Sequence, residues 1–420
     1  MGVPVAPAVD CCIAGAGPAG ALLALLLARA GLRVTLLEKH GDFLRDFRGD
    51  TLHPSTLQIM DELGLADELL QQPHSKVSRF EVPTSAGPVA VLDLTRLRTR
   101  FPFIAFMPQW DFLAFVVSQA SRYPGFQLLM NAEATALITS AAGAVTGVRF
   151  TDPTGEHEIS ATLTVAADGR HSALRAAAGL PSRHTSPPVD VLWFRLSRRP
   201  EDPSVLFARG GAGQFLVFLY RGDYWQVGAA IPKGRLPQLQ AQGMATFRAA
   251  IAAAAPDFAD RLDEIHGWDD IKLLEVRADR LRRWWKPGLL CIGDAAHAMS
   301  PVGGIGINVA VQDAVVAANR LTAPLRRGSV SDQDLRSVQR ARQLPTVIVQ
   351  AFQSVAQRGV MLILSGSARP VRAPAVLTVL PHVPILRTLP ARFLAYGIVP
   401  VHVRIPEAVP PAPARLGERT

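Results

Sequence analysis

The sequence predicts an α/β fold, α+β overall, in which buried parallel strands and helices are combined with an inserted antiparallel sheet. Three observations predict it. Between residues 9 and 31 an apolar run, a glycine-rich turn and an apolar helix follow one another. Near residue 290 a second apolar run precedes a glycine-rich loop and a long helix of small residues. Between residues 182 and 271 the aromatic residues fall in short segments typical of antiparallel strands.

The N-terminal element begins with Val9 to Ala14, which is predicted to be a buried strand. A GxGxxG turn follows, then a helix from Ala21 to Ala30 and a strand from Arg33 to Leu37, which ends at Glu38. Glycines in such a turn admit a pyrophosphate to the helix N-terminus, and the acid accepts a hydrogen bond from a ribose hydroxyl. This element therefore predicts a Rossmann-like dinucleotide site.

Two later strands end in the same way. Leu163 to Ala166 is predicted to be a buried strand that is followed by Asp168-Gly169, and Leu289 to Ile292 is predicted to be another that is followed by Asp294. An acid at the end of a strand can bind a ligand hydroxyl. The glycine-rich loop after Asp294 lets backbone N–H groups approach a flat or anionic ligand, with a helix N-terminus behind them.

The segments between these elements complete the predicted fold. Residues 47–65 predict an amphipathic helix with Ser55 as a possible N-cap, and residues 109–121 predict another helix. Strands are predicted at Phe126 to Met130, Val145 to Phe150, His157 to Thr162, Val189 to Leu196, Gln214 to Tyr220 and Tyr224 to Ile231.

Composition limits the classes of function. The 420 residues are enough for two domains, and the net charge of +9 comes from scattered arginines, so nothing but charge points to nucleic acid. The three cysteines lack metal-binding spacing, which predicts no metal site and a reducing, cytoplasmic compartment. The uncharged run from Cys11 to Ala28 has the length of a membrane span, but its glycines and Pro18 favour a strand, a turn and a helix.

The three strand-end motifs, in this order, resemble the group A flavoprotein monooxygenases, the para-hydroxybenzoate hydroxylase-like family. The resemblance covers about the first 350 residues and implies a Rossmann-like FAD-binding domain. Its site residues are implied one by one. The FAD pyrophosphate would be held by the turn of Gly15, Ala16, Gly17, Pro18, Ala19 and Gly20, and the adenosine ribose by Glu38 and Lys39. The residues implied to lie near the FAD are Arg48, Gln109, Asp168 and Gly169, and Asp294 would bind the ribityl chain or the pyrophosphate. The N1–C2=O edge of the flavin would be contacted by Pro301, Gly304, Ile305, Gly306, Ile307 and Asn308.

The resemblance also implies the reaction. NADPH or NADH would reduce FAD, and O2 would then give a C4a-hydroperoxyflavin that hydroxylates a hydrophobic, aromatic small molecule. No second GxGxxG follows a strand, in agreement with a family that lacks a separate nicotinamide domain. A flavin-dependent reductase of an isoprenoid-like substrate and a non-catalytic flavin-binding protein stay open as alternatives.

The residues that activate the substrate are harder to predict. A base that removes a phenol proton assists hydroxylation, and His53, Asp190 and Tyr224 are the candidates, with a structural role as the alternative for each. Trp193, Phe215 and Trp225 suggest an apolar substrate pocket. No catalytic base is assigned, and neither the substrate nor the oligomeric state follows from the sequence.

The predicted domains are discontinuous. Residues 1–75, 105–181 and 272–365 form the FAD-binding domain, residues 76–104 and 182–271 the substrate domain, and residues 366–420 a C-terminal extension. The extension is expected to pack on the body of the protein. Disorder or contact with a membrane surface are the alternatives.

Overall fold

The structure is a computed structural model that describes residues 9–44, 50–84, 87–185, 187–202, 206–211, 213–366 and 388–408. Strands and helices are numbered in chain order. The α-helices are α1 Pro18–Arg29, α2 Pro54–Glu62, α3 Ala66–Leu69, α4 Gln109–Ala120, α5 Ala173–Ala177, α6 Leu236–Gln242, α7 Met244–Ala254, α8 Gly306–Arg326, α9 Asp332–Leu364 and α10 Leu389–Tyr396.

The larger sheet contains eight strands within the described residues. They are β1 Val9–Ala14, β2 Val34–Leu37, β8 Phe126–Leu129, β9 Glu133–Thr139, β10 Val145–Asp152, β11 Gly155–Ala166, β19 Trp285–Lys286 and β20 Leu289–Cys291. The order is β19-β20-β11-β1-β2-β8, and β20, β11, β1, β2 and β8 run parallel. Strands β10 and β9 extend β11 as an antiparallel hairpin unit.

Helix α1 lies at the centre of the main hydrophobic core. Residues 19–28 are all buried, so the helix is apolar on every side rather than on one stripe. This burial explains the long uncharged run in the sequence, which is a core strand, a turn and a core helix as predicted. The cysteines Cys11, Cys12 and Cys291 are buried and free, as expected for a chain without disulfides.

The second sheet contains seven strands in the described part of the chain. They are β5 Arg79–Thr84, β6 Gly87–Asp93, β13 Val189–Ser197, β14 Leu206–Gly211, β15 Gln214–Tyr220, β16 Tyr224–Pro232 and β17 Lys272–Leu274, in the order β17-β13-β16-β15-β14-β5-β6. All pairs are antiparallel except β14 with β5. The mixed architecture confirms the predicted fold class, while the predicted domain boundaries stay predictions.

One face of the second sheet packs on α7 and on a 3₁₀ segment, Pro256–Glu264. Phe194, Phe218 and Trp225 lie in this core, and Trp225 is fully buried. Trp193 and Phe215 each lie one position from a core residue in the same strand. Because side chains alternate between the two faces of a strand, both point to the opposite face of the sheet. The prediction that Trp225 helps to line a substrate pocket is therefore wrong, because strand alternation turns it into the core.

Two further predictions need correction. Helix α2 begins at Pro54 with His53 as its N-cap, not Ser55, because proline suits the first helical position. The segments His157 to Thr162 and Leu163 to Ala166 are not separate strands. They form one strand, β11, whose first half pairs with β10 and whose second half pairs with β1.

Two short sheets and the C-terminal segment complete the fold. Strands β3 Thr51–Leu52, β7 Ile104–Phe106 and β4 Ser75–Val77 form one sheet, and β12 Ser182–Thr185 pairs with β18 Ala278–Leu281. Residues 388–408 pack on the body of the protein: the Tyr396 hydroxyl bonds to Thr99 Oγ1 at 2.6 Å, and the Tyr123 hydroxyl donates to Glu407 at 2.8 Å. The rest of the predicted extension lies outside the described residues.

Two helices have the length and apolar composition of a membrane span. One corresponds to α8 with its preceding turn and is mostly buried in the protein, as a core helix is. The other is α9, of whose most apolar window only 17% is buried. Length and composition alone are weak evidence for a span, so the predicted cytoplasmic location stays a prediction.

Candidate cofactor site

The C-terminal ends of four parallel strands meet at one edge of the larger sheet. Because β20, β11, β1 and β2 are neighbours, the sheet brings the ends of these strands together. Gly15 follows β1, Glu38 follows β2, Asp168 follows β11 and Asp294 follows β20. The three motifs that are far apart in the sequence thus form a single candidate site, where ligands bind in sheets of this kind.

The three glycines of the first motif have different surroundings. Gly15 has φ +98°, and a Cβ placed on it would lie 2.5 Å from the carbonyl oxygen of Ala167. A Cβ on Gly20 would collide with the carbonyl oxygen of Gly15. A Cβ on Gly17 would have no atom within 4 Å. The fold therefore requires the first and third glycines, whereas Gly17 leaves room for a ligand at the start of α1.

Glu38 supports this turn directly. Its side chain is buried, and its carboxylate accepts hydrogen bonds from the N–H of Ala16 at 3.0 Å and the N–H of His40 at 3.1 Å. Lys39, the next residue, is exposed. The sequence predicted a role for Glu38 toward a ribose. The structure adds that it holds the glycine turn in place.

Asp168 carries a carboxylate oxygen that the fold does not use. Oδ2 accepts the N–H of Leu174 at 3.3 Å, and Oδ1 is buried without a hydrogen-bond partner among the described residues. Burial raises the pKa of this carboxyl above its usual range. Gly169 has φ +82°, which turns the chain away from the strand. An unsatisfied acceptor at this edge suits a ligand hydroxyl, as FAD would provide.

The third motif forms a 3₁₀ turn and a glycine loop before α8. The Asp294 side chain is 37% exposed and lies 3.8 Å from Arg170. Gly303 and Gly304 have φ of +79° and +61°, and a Cβ on Gly304 would collide with Thr51. A Cβ on Gly306, the first residue of α8, would have no atom within 4 Å. The helix start is thus open to a ligand, as at Gly17.

Asn308 fixes the shape of this loop. Its Oδ1 accepts the backbone N–H of His53 at 2.9 Å and the hydroxyl of Thr56 at 2.7 Å. Its Nδ2 donates to the carbonyl oxygens of Thr51 and Gly304, each at 3.2 Å. The Thr51 hydroxyl also donates to Gly304 at 2.7 Å. Every hydrogen-bonding position of this buried amide is used, so the Asn308 side chain serves the loop, and sequence reasoning missed Thr51 and Thr56.

His53 is fully buried between the loop and the C-terminal segment. Its Nδ1 lies 2.8 Å from the carbonyl oxygen of Leu394, so Nδ1 carries the hydrogen and donates a hydrogen bond to that oxygen. Its Nε2 has no hydrogen-bond partner among the described residues. Burial lowers the His53 pKa to about 4. The imidazole is therefore neutral at pH 7 and links α10 to the segment that precedes α2.

The other two base candidates lie in the second sheet. Asp190 is buried and accepts hydrogen bonds from Lys233 Nζ at 2.9 Å and from the N–H groups of Gly234 and Val276 at 3.0 and 2.9 Å. Tyr224 begins β16 and carries the guanidinium of Arg195 4.6 Å from its ring centre. The structure thus does not bring His53, Asp190 and Tyr224 together, and Asp190 is engaged by three donors.

A partly buried ion pair joins the segment before β3 to the second sheet. Asp50, just before β3, pairs with Arg221 of the β15–β16 turn, and Arg221 also donates to Gln226 at 2.7 and 2.8 Å. Burial raises the Asp50 pKa, although Arg221 and the N–H of Gln109 favour its charged form. Gln109 itself begins α4, as predicted, and Arg48 lies outside the described residues.

A second buried charge cluster supports the loop from behind. Asp313 of α8 accepts hydrogen bonds from His297 Nε2 at 2.6 Å, Gly293 N–H at 3.1 Å and Arg342 Nε at 2.8 Å. Burial alone would favour the neutral acid, but His297 and Arg342 hold the Asp313 pKa below its usual range. Gly293 precedes Asp294, so this cluster fixes the turn that presents Asp294.

A basic cavity of about 510 Å³ lies beside Asp168-Gly169. Arg170 and Arg175 line it from one side, and Lys233 and Arg277 line it from the second sheet and its neighbouring strand. Asp279, which pairs with Arg175 at 3.3 Å, is the one acidic residue among those that line it. The excess of cations favours an anionic ligand such as a phosphate group.

Comparison with known proteins agrees with this geometry. The model of the family described as an FAD binding domain matches residues 8–350. The chain is 32% identical over 397 residues to the 6-methylpretetramide 4-monooxygenase of Streptomyces rimosus, with 94% of each chain covered. It is 26% identical over 383 residues to the aklavinone 12-hydroxylase of Streptomyces peucetius, with 84% of this chain and 75% of that protein covered.

Solved structures share the fold. The p-nitrophenol 4-monooxygenase of Pseudomonas putida DLL-E4 has a TM-score of 0.74 at 18% identity, with 92% of this chain and 97% of that chain covered. The OxyS anhydrotetracycline hydroxylase of Streptomyces rimosus has a TM-score of 0.72 at 24% identity, with 92% and 76% covered. With the family match over most of its length, the chain belongs to the FAD-binding-domain family and is an FAD-dependent aromatic monooxygenase of the group A type.

Proposed function

We propose that this monooxygenase hydroxylates a hydrophobic, polycyclic aromatic molecule, with NADPH or NADH as the electron donor. The observation that carries the proposal is the 32% identity, over 94% of both chains, to an enzyme named for 6-methylpretetramide. The second sheet supports it, because the half-buried side chains of Trp193 and Phe215 lie on the face opposite its core. The Trp193 indole N–H is buried without an acceptor among the described residues, so it is available to a substrate oxygen.

We place the FAD along the edge of the larger sheet. The pyrophosphate would lie at Gly17 and the start of α1, and the adenosine ribose at Glu38. The flavin ring would lie at the loop before α8, where backbone N–H groups of residues 305–308 and the helix dipole would stabilise negative charge on its N1–C2=O edge. The N–H of Gly304, which the sequence also assigned to this edge, instead donates to the carbonyl oxygen of Pro301 at 2.9 Å. Bound FAD supplies the activation of O2 and the transfer of one oxygen atom. The residues of this chain bind the cofactor, orient it and exclude water from it.

The basic cavity is the proposed site for the phosphates of the nicotinamide nucleotide. It adjoins Asp168-Gly169, and Arg277 and Lys233 supply cations from the opposite side. Among the described residues, Arg277 forms one ion pair, an exposed one with Glu275 at 3.0 Å, so its guanidinium can reorient toward a ligand. The cavity thus brings the electron donor close to the edge where the FAD is expected.

The test is a turnover assay with purified, FAD-loaded protein. NADPH and NADH are each supplied with a panel of phenols of one, two, three and four fused rings, and products are analysed by mass spectrometry in air and under heavy-isotope oxygen. We expect a product that carries one labelled oxygen atom, formed from the larger phenols in preference to single-ring ones. Preference for single-ring phenols contradicts the proposed substrate class, whereas a product formed equally well without oxygen supports the reductase alternative.

A further inference from the structure

A small cavity lies behind the glycine loop, away from the basic cavity. Its volume is about 20 Å³, and its walls come from the first turns of α8, the middle of α9 and residues 393–399. The polar residues Ser55, Asn308, Gln312 and Arg342 line it, while Val349 and Phe393 are among the apolar residues that close it. A volume of this size holds one water molecule or one small ion.

Arg342 presents unused donors to this cavity. The side chain is 1% exposed, and its Nε donates to Asp313 Oδ1 at 2.8 Å. Its two Nη atoms are buried and have no acceptor among the described residues. A guanidinium has five N–H groups, of which the one on Nε is used here, so four remain. Because buried donors are normally paired, an acceptor is expected in the cavity.

The balance of donors and acceptors indicates what kind of acceptor fits. Asp313 cannot turn toward the Nη atoms, because its other oxygen is held by His297 at 2.6 Å and by the N–H of Gly293. Ser55 and Gln312 add donors of their own and one side-chain acceptor oxygen each, and the Oδ1 of Asn308 is already used by His53 and Thr56. A water molecule accepts about two hydrogen bonds and has to donate two others, whereas an anion accepts from all sides. The N-terminal end of α8 adds a favourable field for negative charge.

We propose that this cavity binds one small monovalent anion of halide size, held by the Nη groups of Arg342. The site is linked to the cofactor loop, because Asn308 lines the cavity and also holds the carbonyl oxygen of Gly304 at 3.2 Å. Residues 393–399 cover the anion, and the carbonyl oxygen of Leu394 among them accepts a hydrogen bond from His53 Nδ1. The anion thus connects α9, the C-terminal segment and the loop that precedes α8.

Thermal unfolding of the full-length, FAD-loaded protein tests the proposal. The midpoint is measured in sodium chloride, sodium bromide and sodium gluconate at equal ionic strength, gluconate being too large for the cavity. We expect the halides to raise the midpoint by about 2 °C relative to gluconate. Crystals grown in bromide are expected to show an anomalous scattering peak beside Arg342.

A charge variant and a matched control locate the effect. Gln312→Glu places a carboxylate beside Arg342, so it is expected to raise the midpoint in gluconate and to abolish the response to halide. Gln343→Glu makes the same change on an exposed side chain of α9, next to Arg342 in sequence but outside the cavity. It is expected to keep the wild-type halide response.

Three results would each overturn the proposal. The first is an equal midpoint in halide and gluconate. The second is an ordered water molecule in the cavity of bromide-grown crystals, with no anomalous peak. The third is a halide response that persists in Gln312→Glu, which would place the anion elsewhere. None of these measurements depends on substrate turnover, so the anion site is tested independently of the proposed substrate.

Discussion

The three glycines of the first motif allow the fold and the cofactor to be tested separately. Gly17 has φ −69° and ψ −179°, a conformation open to any residue, and a Cβ there meets no atom within 4 Å. Gly17→Ala should therefore change the free energy of unfolding of the apoprotein by no more than about 0.5 kcal/mol. The same methyl group would stand where the FAD pyrophosphate has to approach the start of α1.

The expected loss of affinity follows from the hydrogen bonds to the pyrophosphate. A charge-assisted bond contributes about 1.5–3 kcal/mol, so losing one weakens FAD binding by roughly 10- to 100-fold. Titration of apoprotein with FAD, followed by flavin fluorescence, measures the affinity, and urea unfolding of the apoprotein measures stability. Gly20→Ala is the contrasting variant, because its Cβ collides with Gly15 and should destabilise the fold by about 1–3 kcal/mol. Wild-type FAD affinity in a stable Gly17→Ala protein would refute the placement of the pyrophosphate.

Three further predictions concern the loop and the basic cavity. Burial lowers the His53 pKa to about 4 from about 6.5 in an unfolded chain, so the folded state binds fewer protons in this window and stability falls as pH decreases through it. The loss between pH 7.5 and 4.5 is about 2–3 kcal/mol, and urea unfolding of His53→Gln across this range should lack it; parallel wild-type and variant curves would contradict the assignment. Asn308→Ala leaves the N–H of His53 and the carbonyl of Thr51 without this partner, which should lower stability by about 2–4 kcal/mol in the same unfolding assay and weaken FAD retention. Arg277→Ala should raise the KM for the nicotinamide nucleotide by about 3- to 10-fold with little change in kcat, because a partly exposed ion pair contributes less binding free energy than a buried one. Arg282→Ala, at an exposed arginine nearby in the sequence, is the control and should leave this KM unchanged.

The cofactor edge could be predicted from the sequence because its chemistry is local. A strand, a glycine turn and a helix are adjacent in the chain, and the special conformations belong to glycines such as Gly15, whose φ is positive. Backbone N–H groups, rather than distant side chains, do most of the binding in such a site. The positions of Glu38, Asp168 and Asp294 at strand ends were sufficient to bring them to one edge.

The contacts that shape the loop could not be predicted, because their partners are far apart in the chain. Asn308 bonds to Thr51, His53 and Thr56, which precede it by about 250 residues. Nothing in the local pattern around Thr51 marks it as a partner of Gly304. Asp313 gave one usable signal, since a charged residue within an apolar helix indicates a buried partner, and Arg342 is that partner.

Composition also does not predict which face of the second sheet is turned away from its core. Trp225 and Phe215 are both aromatic residues in predicted strands, yet Trp225 lies in the core with α7 and Phe215 points the other way. A shift of one residue in the assumed register exchanges the two faces. The N-cap of α2 shows the same limit on a smaller scale, because Pro54 moves the helix start away from Ser55.

These differences bear on how the enzyme handles its substrate. Asp190 accepts hydrogen bonds from three donors of the fold, and His53 Nδ1 donates to the carbonyl oxygen of Leu394, so both side chains already serve the fold. A polar contact that does join the segment before β3 to the second sheet is the partly buried pair of Asp50 and Arg221, in which Arg221 also donates to Gln226. We therefore expect substrate recognition to depend on side chains near this pair, and cofactor binding to depend on backbone groups at the edge of the larger sheet. A relative that keeps the glycine motifs but changes the Asp50–Arg221 pair is expected to bind FAD and to act on a different substrate.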